Sequence, residues 1–173
     1  MKKLWFFAFL LSSITGTAQP AVKIFAYSQE TTPGNIPKDV TDENGKPQGT
    51  KKGASINYYF YGAYTPSVKI SFCEVWIGSK YYKVQTEVVN STPVVVTNYN
   101  IPDRPVEDVL VPASKLRVMS ITPVGSPTDK IINTSWFRKL LRQSELIVSY
   151  LYKGKKYFIP VKKIKILAPV AGI

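Results

Sequence analysis

Carboxylates are the side chains in this sequence best suited to breaking a bond. Five of them lie where folding could bring them together: Glu74, Glu87, Asp103, Glu107 and Asp108. Two facing carboxyl groups could hydrolyse a glycosidic bond, one as acid and the other as nucleophile or base. The spacing of these five carboxylates in the sequence favours no particular pair. The spacing of the Ser and Lys residues likewise indicates no particular Ser/Lys catalytic dyad. A small hydrolase acting on cell-wall or polysaccharide substrate, with carboxylates on the Asp103–Asp108 loop, is therefore the alternative hypothesis.

Most other catalytic groups are missing from the 173 residues. The chain has no His and one Cys, which excludes His acid–base catalysis, Cys/His triads, Cys-rich zinc sites and intrachain disulfides. There is no Gly-rich phosphate loop, no Gly-x-Ser-x-Gly turn and no His-Glu-x-x-His site. The run Asp42–Gly45 lacks the alternating ligands of a calcium loop. We therefore expect a protein without catalytic activity, cofactor or metal.

An aromatic hairpin is predicted near the middle of the chain. A two-residue loop at Gly78–Ser79 favours a type II′ turn, which sets Trp76 opposite Tyr81 and Glu74 opposite Lys83. Because side chains alternate between the two faces of a strand, one face of this hairpin reads as core and contains Cys73. The lone thiol is therefore expected to be buried.

The other face of the hairpin mixes aromatic and charged side chains. Phe72, Trp76 and Tyr81 share it, and we interpret them as a candidate binding platform for sugar rings or a partner chain. The alternative is that a loop or an opposing sheet covers these rings.

Positive charge is concentrated in the last quarter of the chain. The net charge is +12, and from residue 130 to residue 173 ten Lys and Arg residues stand against Glu145 alone. Six of these cations are predicted to lie at one end of the fold, as candidate binding residues: Arg138, Lys139, Arg142, Lys162, Lys163 and Lys165. Such a cluster attracts lipopolysaccharide phosphates, acidic glycan, anionic lipid headgroups or an acidic envelope protein, with nucleic acid a weaker candidate. A solvated lysine-rich surface without a partner is the alternative.

One short helix is predicted from Ser135 to Gln143. Thr134 or Ser135 can cap it, and an apolar stripe recurs at helical spacing: Trp136, Phe137, Leu140 and Leu141. We interpret the helix as a lid over one end of the fold rather than a membrane-binding device.

The remaining pattern is that of β-strands separated by Gly, Pro, Asn and Ser. Strands are predicted at Val22–Tyr27, Ser55–Tyr61, Val68–Ile77, Tyr81–Val89, Val94–Tyr99, Leu116–Ile121, Leu146–Tyr152 and Lys156–Leu167, with a weaker one at Val109–Val111. The pattern predicts an all-β, mainly antiparallel domain over residues 19–173. Its type resembles immunoglobulin-like β-sandwiches of about seven to nine strands as a class, although their Cys…Trp…Cys framework is absent. The polar stretch at 29–53 is predicted to be a mobile loop, or a linker that leaves the first strand as an arm for edge-strand pairing.

A second hairpin turns near Gly154. With Gly154–Lys155 as its loop, Tyr152 pairs with Tyr157, whereas a Lys153–Gly154 loop gives a shifted register, and the sequence does not decide between them. Both faces of the hairpin are apolar, as in a strand pair that lies in the middle of the structure or beneath the helix, so we expect it to be an interior part of a sheet.

The amino terminus has the pattern of a secretory signal peptide. Two Lys residues precede an apolar stretch of 11 residues, Leu4–Ile14, and Gly16-Thr17-Ala18 suits a signal peptidase. The stretch is shorter than the roughly 20 residues of a spanning helix. We therefore expect cleavage at Ala18–Gln19, a periplasmic or secreted protein without a transmembrane segment, and a binding or assembly function in the bacterial cell envelope.

Overall fold

Strands make up most of the described chain, as the sequence predicts. The computed structural model describes residues 19–32, 55–98, 106–129, 132 and 134–171. Its elements are β1 (Val22–Thr32), β2 (Ser55–Tyr64), β3 (Ile70–Ile77), β4 (Lys80–Val88), β5 (Val94–Asn98), β6 (Val106–Val111), β7 (Arg117–Thr128), α1 (Ser135–Gln143), β8 (Leu146–Tyr152), β9 (Lys155–Val161), β10 (Lys165–Ile166) and β11 (Val170–Ala171). The all-β prediction and the bounds of the helix are confirmed.

Nine of the strands belong to one mixed sheet. Eight follow the order β10-β1-β2-β7-β4-β3-β8-β9, and β11 also pairs with β1. Strands β10 and β11 run parallel to β1, and the other pairs are antiparallel. The sheet curls so that β1 and β9 come into contact although they lie far apart in this order. The immunoglobulin-like sandwich type is not confirmed, because opposite sides of one curled sheet face each other.

The main core lies inside the curl. The residues buried there come from five strands and from the loop after β9: Ala26, Phe60, Tyr64, Phe72, Val75, Ile121, Leu146, Val148, Tyr150 and Ile164. They bring β2, near one end of the strand order, against β3 and β8, near the other. Burial of this apolar surface is what holds the curl closed.

Two smaller layers cover the outside of the sheet. Strands β5 and β6 form a separate two-stranded sheet. Leu110 and Val111 of β6 are buried against side chains on the outer face of β1, β2 and β7. Helix α1 covers the outer face of β3, β4, β8 and β9, where Phe137 packs with Trp76 and Ile147. The helix is therefore a lid on the side of the sheet.

The two hairpins differ in how well their register could be predicted. In β3–β4, Trp76 pairs with Tyr81 and Glu74 with Lys83, so the prediction is confirmed. In β8–β9, Tyr152 pairs with Lys155, which places the loop at Lys153–Gly154, the second of the two alternatives. Strand β8 is interior, but β9 ends the strand order, so the hairpin is only half inside the sheet.

A β-bulge in β3 alters the predicted faces. Phe72 pairs with Tyr150 and Glu74 with Ser149, which leaves Cys73 as the extra residue. The bulge reverses the alternation, so Phe72 joins Val75 in the inner core instead of sharing a face with Trp76. Cys73 is only partly buried, so the prediction of a fully buried thiol is corrected.

Strand β1 is longer and more firmly paired than predicted. It continues to Thr32 and pairs with β2 on one side and with β10 and β11 on the other, within the same chain. It is therefore not a free arm, and residues 29–32 are strand rather than loop. Gln29 is buried, and both polar atoms of its amide have partners. The amide nitrogen donates to Ala168 O at 2.9 Å, and the amide oxygen accepts from Tyr59 OH at 3.2 Å.

Other bounds shift for identifiable reasons. Strand β7 extends well past Ile121 because its second half pairs with β4. The predicted strand Lys156–Leu167 is divided into β9 and β10. Its first part pairs with β8 and its last part pairs with β1, so the chain changes its pairing partner between them. The predicted signal peptide at 1–18 and the rest of the predicted polar loop, 33–53, lie outside the described residues. In the described part of the chain, no helix has the length and apolar character needed to cross a membrane.

Candidate binding surface

Helix α1 begins at a well-formed cap and is anchored by one buried ring. Phe137 N donates a hydrogen bond to the Thr134 hydroxyl oxygen at 3.2 Å, which decides between the two predicted caps. Phe137 is fully buried and lies edge-on to Trp76, with ring centroids 5.0 Å apart. The sheet thus fixes the rotation of the helix and determines which side chains face solvent.

The predicted aromatic platform is corrected by this packing. Trp76 has no exposed surface, and Tyr81 and Phe72 are also buried. Trp76 and Tyr81 lie beneath α1, whereas Phe72 points into the curl. Helix α1, rather than a loop or an opposing sheet, therefore covers Trp76 and Tyr81, and none of the three rings presents a face to solvent.

The solvent face of α1 is basic. Arg138, Lys139 and Arg142 are exposed, and their spacing of three and four residues places them side by side. The helix contains no acidic residue. Arg142 lies in the last turn, where a cation is favoured by the helix dipole. Three predicted binding residues are thus held together on one rigid surface.

Glu145 joins this helix to the basic loop after β9. Its carboxylate accepts a hydrogen bond from Ile164 N at 2.7 Å, and its backbone N donates to Val161 O at 3.1 Å. The loop carries Lys162 and Lys163, which are both exposed. The one acidic residue of this region is therefore occupied in holding the loop to the end of the helix.

Five cations of this region have no ionic partner in the described residues. Here they are called the basic end: Arg138, Lys139, Arg142, Lys162 and Lys163. Like charges on two neighbouring elements leave a positive potential that an anion would neutralise. The geometry thus suits binding of an anion by side chains from both elements.

Lys165 differs from the five cations of the basic end because it has an ionic partner. Its Nζ lies 3.4 Å from Asp108 Oδ1 and 5.7 Å from the centre of the Tyr27 ring. It therefore helps to hold β10 against β6 and β1. A surface depression of 360 Å³ lies beside it, lined by Lys163, Ile164, Lys165 and Ile166.

Trp136 is exposed, although the helical spacing predicts it in the apolar stripe of α1. The exposed fraction of its surface is 55%. Its ring packs edge-on to Phe158, with centroids 5.6 Å apart. One helical step, about 100°, separates it from Phe137, so the helical period alone could have placed it at the edge of the stripe.

The carboxylates are not drawn together in the described residues. The Glu74 carboxylate accepts from Lys156 at 2.6 Å, from Tyr81 at 3.3 Å and from Ser149 at 3.4 Å, all on the outer face of β3. Asp108 contacts Lys165, and Glu87 accepts from Gln85 on the exposed face of β4. Asp103 lies outside the described residues. No group of three metal-binding side chains occurs in the described ranges.

Comparison with known proteins adds no assignment to this geometry. No protein-family model, curated protein or solved structure matches the chain.

Proposed function

We propose that the protein is a non-catalytic binding or assembly component of the bacterial cell envelope, exported by its amino-terminal signal and released at Ala18–Gln19. The basic end is its binding surface and holds an anionic partner. The observation that carries the proposal is that five exposed cations, three on α1 and two on the loop that Glu145 holds to its end, have no ion pair among the described residues.

The side chains, rather than the backbone, supply the attraction. The basic end adjoins the carboxyl terminus of α1, whose dipole is negative and repels an anion. Arg138 and Arg142 lie one turn apart and can each hold a phosphate or carboxylate with two parallel hydrogen bonds. Lys162 and Lys163 add charge from the neighbouring loop, so the partner has to span two elements.

The experiment compares two double variants that change the net charge equally. Lys162→Glu/Lys163→Glu alters the basic end, and Lys153→Glu/Lys155→Glu alters two exposed lysines at the opposite tip of the β8–β9 hairpin. On a phosphate-bearing cation-exchange resin, we expect the first variant to elute at clearly lower salt than the second, because only the first removes the cluster. Equal elution of the two variants would show that net charge alone governs retention and would refute the proposal.

A further inference from the structure

The basic end carries an exposed aromatic ring that anion binding does not require. Trp136 is 55% exposed, whereas the other apolar residues of α1 are turned toward the sheet. Lys139 lies three residues after Trp136, so the indole and that ammonium are neighbours on the helix surface. A large apolar ring and a set of cations are thus presented together.

The orientation of Trp136 is set by two ring contacts, one to Phe158 and one to Phe137. Its ring lies edge-on to Phe158 at 5.6 Å, and next to it Phe137 is held between Trp76 and Phe158, with centroids 5.0 and 5.4 Å away. The helix cannot turn its apolar stripe outward without exposing Trp76. A partner therefore meets a rigid surface with one protruding indole, and not a helix free to insert along its length.

We propose that the anionic partner is a lipid bilayer surface, on which Trp136 enters the headgroup layer while the basic end pairs with lipid phosphates. This inference rests on the proposed function and identifies the class of partner. An indole is most stable at the boundary between hydrocarbon and water, and lipid phosphates form a continuous layer that reaches cations on two elements at once. A soluble polyanion supplies the charge but offers no apolar phase to the ring.

Vesicle sedimentation tests the role of the indole. The probe is a vesicle of phosphatidylcholine with about one-third phosphatidylglycerol, compared with pure phosphatidylcholine at the same salt. Each basic residue near the surface should contribute about fivefold to partitioning. We expect Trp136→Ala to weaken partitioning on the order of tenfold. Ile56→Ala is the matched control, because Ile56 is also 55% exposed but belongs to β2, away from the basic end.

Trp136→Lys separates insertion from charge. It adds a cation to the basic end, so a purely electrostatic surface would bind anionic vesicles more tightly than the unchanged protein. Insertion of the indole predicts binding that is weaker than that of the unchanged protein, although up to about fivefold tighter than that of Trp136→Ala because the new cation adds charge. Tighter or unchanged binding of Trp136→Lys, relative to the unchanged protein, would overturn the proposal.

The phosphate resin distinguishes failure of this inference from failure of the proposed function. We expect Trp136→Ala to elute from the resin at the same salt as the unchanged protein while its partitioning to vesicles falls about tenfold. Loss of retention on the resin as well would contradict the lipid assignment, because the ring would then serve any polyanion. If Lys162→Glu/Lys163→Glu changed neither resin nor vesicle binding, the proposed function itself would fail, and the lipid inference with it.

Discussion

Phe72 packs directly onto Gly62 across the inside of the curled sheet. A Cβ atom built on Gly62 would lie 2.7 Å from Phe72 Cε2 and closer still to Cζ. Gly62 belongs to β2 and Phe72 to β3, which are separated by two strands in the sheet order. The absence of a side chain at residue 62 therefore lets the two sides of the curl approach.

Gly62→Ala is expected to destabilise the protein through this contact. The added methyl group collides with a ring that is buried on all sides, and overpacking of this kind costs about 1–3 kcal/mol. Urea denaturation followed by fluorescence would measure the change in the free energy of unfolding.

Phe72→Leu supplies the double-mutant test. A smaller side chain at residue 72 makes room for the methyl group, so the double variant should be more stable than the sum of the single effects by about 1 kcal/mol. Additive effects would show that the strain at Gly62 has another source.

The titration of Cys73 should depend on its two charged neighbours. Burial raises the pKa of the thiol, the Lys156 ammonium lowers that pKa, and the Glu74 carboxylate raises it. Removing the positive charge disfavours the thiolate, so Lys156→Met should move the pKa of Cys73 further up. Glu74→Gln should move the pKa down. The pH dependence of the alkylation rate reports both shifts.

Lys155→Met is the control for the thiol titration. Lys155 precedes Lys156 on β9 and points to the opposite face of the strand, so its loss should leave the alkylation profile of Cys73 nearly unchanged. A downward shift in Lys156→Met, or equal shifts in both lysine variants, would contradict the assigned contact.

Local signals in the sequence were sufficient for the helix and for one hairpin. Thr134 and the spacing around Phe137 place α1, and the Gly78–Ser79 turn gives the register of β3–β4. The bulge at Cys73 could not be predicted, because an extra residue is defined only by pairing with β8, which is distant in sequence. That single residue decides which face Phe72 occupies.

The way in which the two faces of the sheet are covered also could not be predicted from local sequence patterns. Alternation shows that both faces of β8 are apolar and so allows a place beneath the helix, but it does not show that opposite sides of one curled sheet meet across the inner face. Of the six candidate cations, three lie on the exposed face of α1 and two on the loop that Glu145 holds to its end. Lys165 lies in β10, which pairs with β1, and its ammonium contacts Asp108.

The β8–β9 turn should be sensitive at Gly154. Lys153 and Gly154 have φ values of 48° and 75°, as a type I′ turn requires. A Cβ at Gly154 would meet no atom within 4 Å, so the cost of Gly154→Ala comes from the backbone alone, about 1–2 kcal/mol. Thermal unfolding would detect it. Lys155→Ala, outside the turn, should be close to neutral, and equal effects of the two variants would contradict the turn type.

The cap of α1 should matter to the whole aromatic layer beneath it. Thr134→Ala removes the acceptor for Phe137 N and should cost about 1 kcal/mol of unfolding free energy, whereas Thr134→Ser keeps the hydroxyl and most of the stability. Ser135→Ala is the matched control, since Ser135 is the other candidate cap and the Phe137 N–H group bonds to Thr134. Because Phe137 lies on Trp76, near-ultraviolet circular dichroism of Thr134→Ala should lose aromatic signal at lower urea than that of Ser135→Ala. Coincident transitions for these two variants would mean that the Thr134 hydroxyl does not hold the helix on the sheet.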